Sequence, residues 1–153
     1  MKVLLLNGSP RKNGCTYTAL NVVADALKAE GIDAEVFQAG DPDMENVKAA
    51  AAKLKDSDAL VVGSPVYWAS PSGQIIEFMD RLASVAGKDM LYKPAAAVAS
   101  ARRAGTTATL DVLTKYFSYH QMPVVSSCYW NMVHGNTPEE VMKEAAAKGV
   151  QLL

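Results

Sequence analysis

The sequence predicts an α/β fold: a doubly wound parallel sheet with helices on both faces. Short apolar runs alternate with longer amphipathic stretches along the whole chain. The strand-like runs begin about every 30 residues, the length of a strand–helix–strand unit. Several are continuously apolar, as strands buried on both faces are.

Val3 to Leu6 is the first such run and ends in Asn7-Gly8-Ser9-Pro10. From Thr16 to Glu30, Leu20, Val23 and Leu27 form the stripe of an amphipathic helix, which Gly31 stops. A second strand follows at Ala34 to Phe37, then a loop at Gly40 to Asp43. Val47, Ala51 and Leu54 stripe a second helix ending near Asp56 to Asp58. Ala59 to Gly63 is the third strand, and the Pro- and hydroxyl-rich stretch Ser64 to Ser72 reads as a loop. Ile75, Ile76, Met79 and Leu82 mark a third helix. Pro94 to Ala101 is assigned as the fourth strand although its alanines intrinsically favour helix. Leu110, Leu113 and Phe117 stripe the fourth helix, Val124 to Tyr129 is the fifth strand, and Thr137 to Leu153 the last helix. Thr137 is its expected N-cap, with Pro138 at the first position and Glu140 as capping-box partner. Five strands, each followed by a helix, match the flavodoxin-like sheet of order 2-1-3-4-5. Residues 1–153 read as one domain of this kind.

The charges nearly cancel, 15 Lys+Arg against 16 Asp+Glu. Neither a basic face for nucleic acid nor a like-charged tail is present. No apolar run approaches the roughly 20 residues of a membrane span. Met1-Lys2 enters a strand directly, so the start does not read as a signal peptide. Two cysteines without a Cys-x-x-Cys motif predict a reducing compartment, the cytoplasm, and neither a disulfide scaffold nor a zinc site. His120 and His134 read as surface or helix-end residues, not metal ligands.

Ligands bind such sheets beyond the carboxyl ends of the strands, at the switch point between strands 1 and 3. Three segments leave that edge. Asn7 to Thr16 leads into a helix N-terminus with free N–H groups and the positive end of the dipole. Ser9, Asn13 and Thr16 add polar donors there, Arg11 and Lys12 add charge, and Gly8 and Gly14 allow close approach. The segment is an anion cradle suited to phosphate, or else a polar turn with a good cap. It is not a P-loop, because Cys15 stands where that motif needs Lys. The second segment carries Pro65, Val66, Tyr67 and Trp68. Its aromatics would cover a flat heteroaromatic ring, cap the sheet edge or meet another subunit. The third, Ser100 to Thr107, would face a ring's polar edge or a second nucleotide's phosphate, or simply present a solvated arginine pair.

Together these loops resemble the NADPH-dependent FMN reductase family of flavodoxin-like proteins, including relatives of iron–sulfur flavoproteins. The similar stretches are Val3-Leu-Leu-Leu-Asn-Gly-Ser-Pro-Arg-Lys-Asn-Gly-Cys-Thr16, Gly63-Ser-Pro-Val-Tyr-Trp68 with the helix ending Phe78-Met79-Asp80-Arg81, the Arg-Arg-Ala-Gly-Thr-Thr segment, and Tyr129-Trp130-Asn131. The resemblance implies that Ser9, Arg11, Asn13, Cys15, Thr16 and Tyr17 surround the FMN phosphate. Pro65, Val66, Tyr67 and Trp68 would line the ribityl chain and ring. Ser100, Ala101, Arg102, Arg103, Gly105 and Thr106 would face the ring's polar edge. No acid–base residues are expected, because the flavin carries the chemistry.

The implied function is an FMN-dependent oxidoreductase. It would take electrons from NADPH or NADH and pass them to a flavin, quinone, nitro or azo compound, or oxygen. Homodimerisation through Tyr67, Trp68, Tyr129 and Trp130 is expected. The sequence departs from many relatives after strand 2, where it lacks a long cysteine-bearing insert. No iron–sulfur cluster can be built from the two cysteines that remain, and the usual wall over part of the flavin site is missing. Cys15 replaces the more frequent Asn or Ser and reads as an innocent small side chain. Two rival readings are an FMN-binding electron carrier without nicotinamide oxidation, and a scaffold that has lost its cofactor.

Overall fold

A computed structural model describes residues 1–148 of the chain. The elements run β1 (Lys2–Asn7), α1 (Cys15–Ala29), β2 (Asp33–Gln38), α2 (Met44–Lys55), β3 (Ala59–Tyr67), β4 (Ser70–Pro71), α3 (Gly73–Met90), β5 (Ala95–Ala101), α4 (Thr106–Tyr119), β6 (Met132–His134) and α5 (Pro138–Lys148). The predicted continuation of the last helix beyond Lys148 lies outside the described residues. The parallel ladder runs β2-β1-β3-β5-β6, with β4 antiparallel to β3. Without the short β4, this is the expected order 2-1-3-4-5. The fold is flavodoxin-like.

Side-chain alternation divides the core between the two faces of the sheet. Leu4, Leu6, Leu60, Val62, Ala97 and Ala99 point towards α2, α3 and α4, where they meet Val47, Leu54, Phe78, Leu82, Leu113 and Phe117. Val3, Leu5, Val61, Ala96 and Val98 meet Leu20, Val23, Val141 and Ala145 of α1 and α5 on the other face. Every residue of β5 is buried. Burial between two helical layers therefore overrides alanine's helical preference, and its small side chains fill a narrow layer. Caps close the helices much as the residue types predict. Asp43 accepts from Glu45 N–H, Ser72 Oγ from Ile75 N–H and Thr137 Oγ1 from Glu140 N–H. Gly31 stops α1 at a φ of +75°. The carboxylate of Glu140 turns to Asn136 N–H, so the capping box is only half formed.

Two predicted segments are corrected. Ser64 to Ser72 is not a loop throughout: β3 continues to Tyr67, and a hairpin returns as Ser70-Pro71. Trp68 and Ala69 form its two-residue turn at φ 52° and 59°, the left-handed geometry of a primed hairpin turn. The fifth strand does not span Val124 to Tyr129. Val124 makes a single bridge to Ala95, and pairing resumes only at Met132–His134 against Ala99, Ser100 and Ala101. Asn131 explains the interruption, accepting from Ser127 N–H and donating to Val125 O. A side chain thereby serves backbone groups that a ladder would otherwise use. His120 ends α4 as expected, but it is buried, with Nδ1 2.7 Å from Tyr116 O.

Candidate functional site

The carboxyl ends of β1, β3 and β5 bring the three predicted segments together. The first loop is fixed from three sides. Gly8 N–H donates to Gly63 O at 2.8 Å, and Ser72 Oγ–H donates to Gly8 O at 2.7 Å. Asn7, fully buried, accepts from Ser9 N–H through Oδ1 and donates through Nδ2 to Gln38 Oε1 at 2.7 Å. Gln38 Nε2 in turn donates to Ser9 O at 2.6 Å. The approach is so close that a Cβ on Gly40 would lie 1.9 Å from Ser9 O, and one on Gly8 2.6 Å from Gly63 O.

This clamp sets the loop against the start of α1. Ser9 is buried, with Oγ accepting from Arg11 N–H, whereas Arg11, Lys12 and Asn13 are exposed. The N-cap of α1 is Gly14, and no side chain caps the helix. The first N–H groups of α1 therefore have neither an intrahelical partner nor a side-chain cap. The helix α4 also starts from an uncapped glycine, Gly105, whereas α2 and α3 carry side-chain caps. Of the three helices that follow the predicted ligand segments, α1 and α4 are uncapped and α3 is capped by Ser72.

The second and third segments pack on each other. Gly105 has φ +94°, and a Cβ there would lie 2.7 Å from Ala69 Cα and 2.8 Å from Val66 Cγ1. The third segment is tied to the first by Thr16 Oγ1 and Ser100 Oγ, 2.7 Å apart. Pro65 and Val66 are half-buried, Tyr67 is exposed, and Trp68 is 100% exposed at the hairpin tip. Ser100, Ala101 and Thr106 are buried, while Arg102 and Arg103 face solvent. Tyr129 and Trp130 are exposed too, and Trp130 takes a left-handed φ of 54°.

Cys15 and Tyr17 are half-buried in the first turn of α1. Burial pushes the Cys15 thiol above its ordinary pKa, reinforced by Glu140 and Glu139, and a backbone hydrogen bond and Arg11 offset this only in part. The thiol form of Cys15 is thereby favoured despite its place at a helix N-terminus. Maleimide at neutral pH is expected to label exposed Cys128 first and half-buried Cys15 slowly; equal rates would contradict that difference in placement.

Sequence reasoning missed Asn7, Gln38, Gly40 and Ser72, none of which faces the open edge. The available signal was a polar residue ending each buried run, Asn7 after Leu6 and Gln38 after Phe37.

An anion at α1, a flat group beside the hairpin and a polar edge at the β5 loop are the requirements of a flavin mononucleotide, and the residues present fit it. Comparison with known proteins agrees. The NADPH-dependent FMN reductase family model matches residues 1–137. The chain belongs to this family. An iron–sulfur flavoprotein of Methanocaldococcus jannaschii is 30% identical over 146 residues, covering 82% of this chain and 76% of that protein. An NADPH azoreductase of a Bacillus species is 30% identical over 108 residues, 66% of this chain and 59% of the relative. The solved structure of FerB, a flavoenzyme NAD(P)H:acceptor oxidoreductase from Paracoccus denitrificans, superposes with a TM-score of 0.77 at 19% identity, over 98% of this chain and 91% of that one. This last likeness speaks for the fold. As an FMN reductase family member, the protein is an FMN-dependent NAD(P)H oxidoreductase.

Proposed function

We propose that residues 1–153 act as one FMN-binding unit that oxidises NAD(P)H and reduces a small acceptor: a flavin, quinone, nitro or azo compound, or oxygen. The observation that carries the site assignment is the start of α1, left uncapped by side chains at the end of a loop clamped by Asn7, Gln38 and Ser72. Its free N–H groups and dipole favour a phosphate, and Arg11 and Lys12 add charge beside them. Ser9, Asn13, Cys15, Thr16 and Tyr17 complete that end. Pro65, Val66, Tyr67 and Trp68 border the ribityl chain and ring. Ser100, Ala101, Gly105 and Thr106 meet the ring's polar edge, with Arg102 and Arg103 on the solvent side.

When bound, FMN supplies the two-electron chemistry between nicotinamide and acceptor. The chain's own residues bind and orient. The pairing of Thr16 with Ser100 holds the phosphate end and the ring's polar edge in fixed relation. Packing of Gly105 against Ala69 does the same for the hairpin. The β2–α2 connection, residues 39–43, is short and packs down on Ser9 through Gly40, which supports a site left open on that side. An uncovered ring suits acceptors of varied shape.

We place the protein in the cytoplasm as a homodimer, with Tyr67, Trp68, Tyr129 and Trp130 as the contact. Their exposure is the support for that contact. No helix among the described residues is long and apolar enough to cross a membrane.

The phosphate assignment is tested by titrating the flavin-free protein with FMN and with riboflavin, which lacks the phosphate. Riboflavin is expected to bind at least about 100-fold more weakly, since charge-assisted hydrogen bonds at a helix N-terminus are individually worth about 1.5–3 kcal/mol. Equal affinities would remove the phosphate from the loop.

A further inference from the structure

We propose that Arg102 and Arg103 form the recognition site for the 2′-phosphate of NADPH, with Asn136 as the residue that positions Arg102. The inference rests on the FMN and nicotinamide reading above and assigns its donor specificity. Two exposed arginines on a turn are ordinarily just solvated, but here the turn is built. Gly105, at φ +94°, packs against Ala69 and Val66, so the segment after β5 is seated on the hairpin. Arg102 does not wave free: its Nε donates to Asn136 Oδ1 at 2.7 Å. Asn136 is itself held, with Nδ2 donating to Glu140 Oε2 at 3.2 Å and its backbone N–H going to the same oxygen at 2.6 Å. Engaging Nε this way leaves the two terminal nitrogens as the parallel donors that fit a phosphate bidentately. A side chain oriented by its own hydrogen-bond partner is what selective anion recognition requires.

The other cations are placed less well for this role. Arg11 and Lys12 stand at the FMN phosphate loop. Arg81 is paired with Glu77 and donates to Pro42 O, and Lys53 is paired with Glu35. Lys28, Lys55 and Lys88 sit at the carboxyl ends of their helices, the edge opposite the site. Arg102 and Arg103 stand at the carboxyl end of β5, between it and the start of α4, on the edge that carries the proposed flavin site. Glu139 and Glu140 stand in the first turn of α5, and Glu140 accepts from Asn136, the partner of Arg102. Those carboxylates temper the field of the pair. They also make selectivity depend on the oriented fork of Arg102 and not on bulk charge, of which the chain has almost none.

The test uses the FMN-loaded protein with 2′,5′-ADP and 5′-AMP as probes, titrated by calorimetry, and NADPH and NADH as donors. The native chain is expected to bind 2′,5′-ADP at least tenfold tighter than 5′-AMP. R102A and R103A should each lose most of that preference, with 2′,5′-ADP binding and the KM for NADPH changing at least tenfold more than 5′-AMP binding and the KM for NADH. N136A should lose part of it, and its KM for NADPH should rise while kcat holds. A native chain that binds both probes equally, or arginine variants that keep the preference, would overturn the proposal. Arginine variants that weaken NADH and NADPH alike would overturn it too. Failure of the native chain to retain FMN would instead sink the flavin reading. The probe titration on that flavin-free chain would still decide the arginine assignment.

Discussion

Gly40→Ala is expected to strip the protein of retained FMN and to lower its stability by about 3 kcal/mol, the upper part of the usual range for overpacking a tight site. The added Cβ would lie 1.9 Å from the carbonyl oxygen of Ser9 and 2.7 Å from Gln38 Nε2. Neither neighbour can yield cheaply. Ser9 is buried, and its N–H is held by Asn7; Gln38 bridges Asn7 and Ser9 O. Relieving the clash moves the phosphate loop away from β2 and disrupts both hydrogen bonds of Gln38. Desalting after FMN loading reads the first effect. Thermal unfolding reads the second, as a Tm fall of roughly 6–12 °C. A variant that keeps FMN and its Tm would show that the β2–α2 connection does not support the loop.

Gly105→Ala carries the second large effect, and Gly31→Ala is its control. Both glycines have positive φ, +94° and +75°, so alanine is strained at either position. At Gly31 the new Cβ meets nothing within 4 Å, and the loss should be limited to about 1 kcal/mol of backbone strain. At Gly105 it collides with Ala69 Cα and Val66 Cγ1. The loss there should reach about 3 kcal/mol, with FMN affinity falling at least about tenfold as the hairpin is pushed off the β5 loop. Gly31→Ala should bind FMN like the native chain. Denaturant midpoints and FMN titrations of the pair separate strain from collision. Equal losses would mean that the hairpin and the β5 loop are not coupled.

The parts of this molecule that could be read from sequence are those governed by local pattern. Leu4, Leu5 and Leu6 form a run that only a buried strand accommodates, and Leu20 and Val23 lie on the buried face that helical spacing requires. The fifth strand failed because Asn131 captures the backbone of Ser127 and Val125, a choice that strand propensity does not encode. The hairpin was hidden for a different reason. Its turn is Trp68-Ala69, with none of the Asn-Gly chemistry that marks such turns, and two prolines flank it. The three ligand segments were legible because the topology alone puts them at one edge. Their supports were not. Asn7 and Gln38 are 31 residues apart in sequence, as Ser72 and Gly8 are 64, and only the parallel register of β1 with β2 and β3 brings them into contact.

This chain is expected to hold FMN at the edge formed by β1, β3 and β5 and to reduce it with NAD(P)H. The most direct test is the visible absorption spectrum of the protein incubated with FMN, desalted and then mixed anaerobically with NADPH. A flavin band that survives desalting and bleaches on mixing is the predicted result. A band that survives but does not bleach would contradict nicotinamide oxidation and leave an electron carrier. Loss of the band on desalting would contradict the site itself and make the short β2–α2 connection the decisive feature of the molecule.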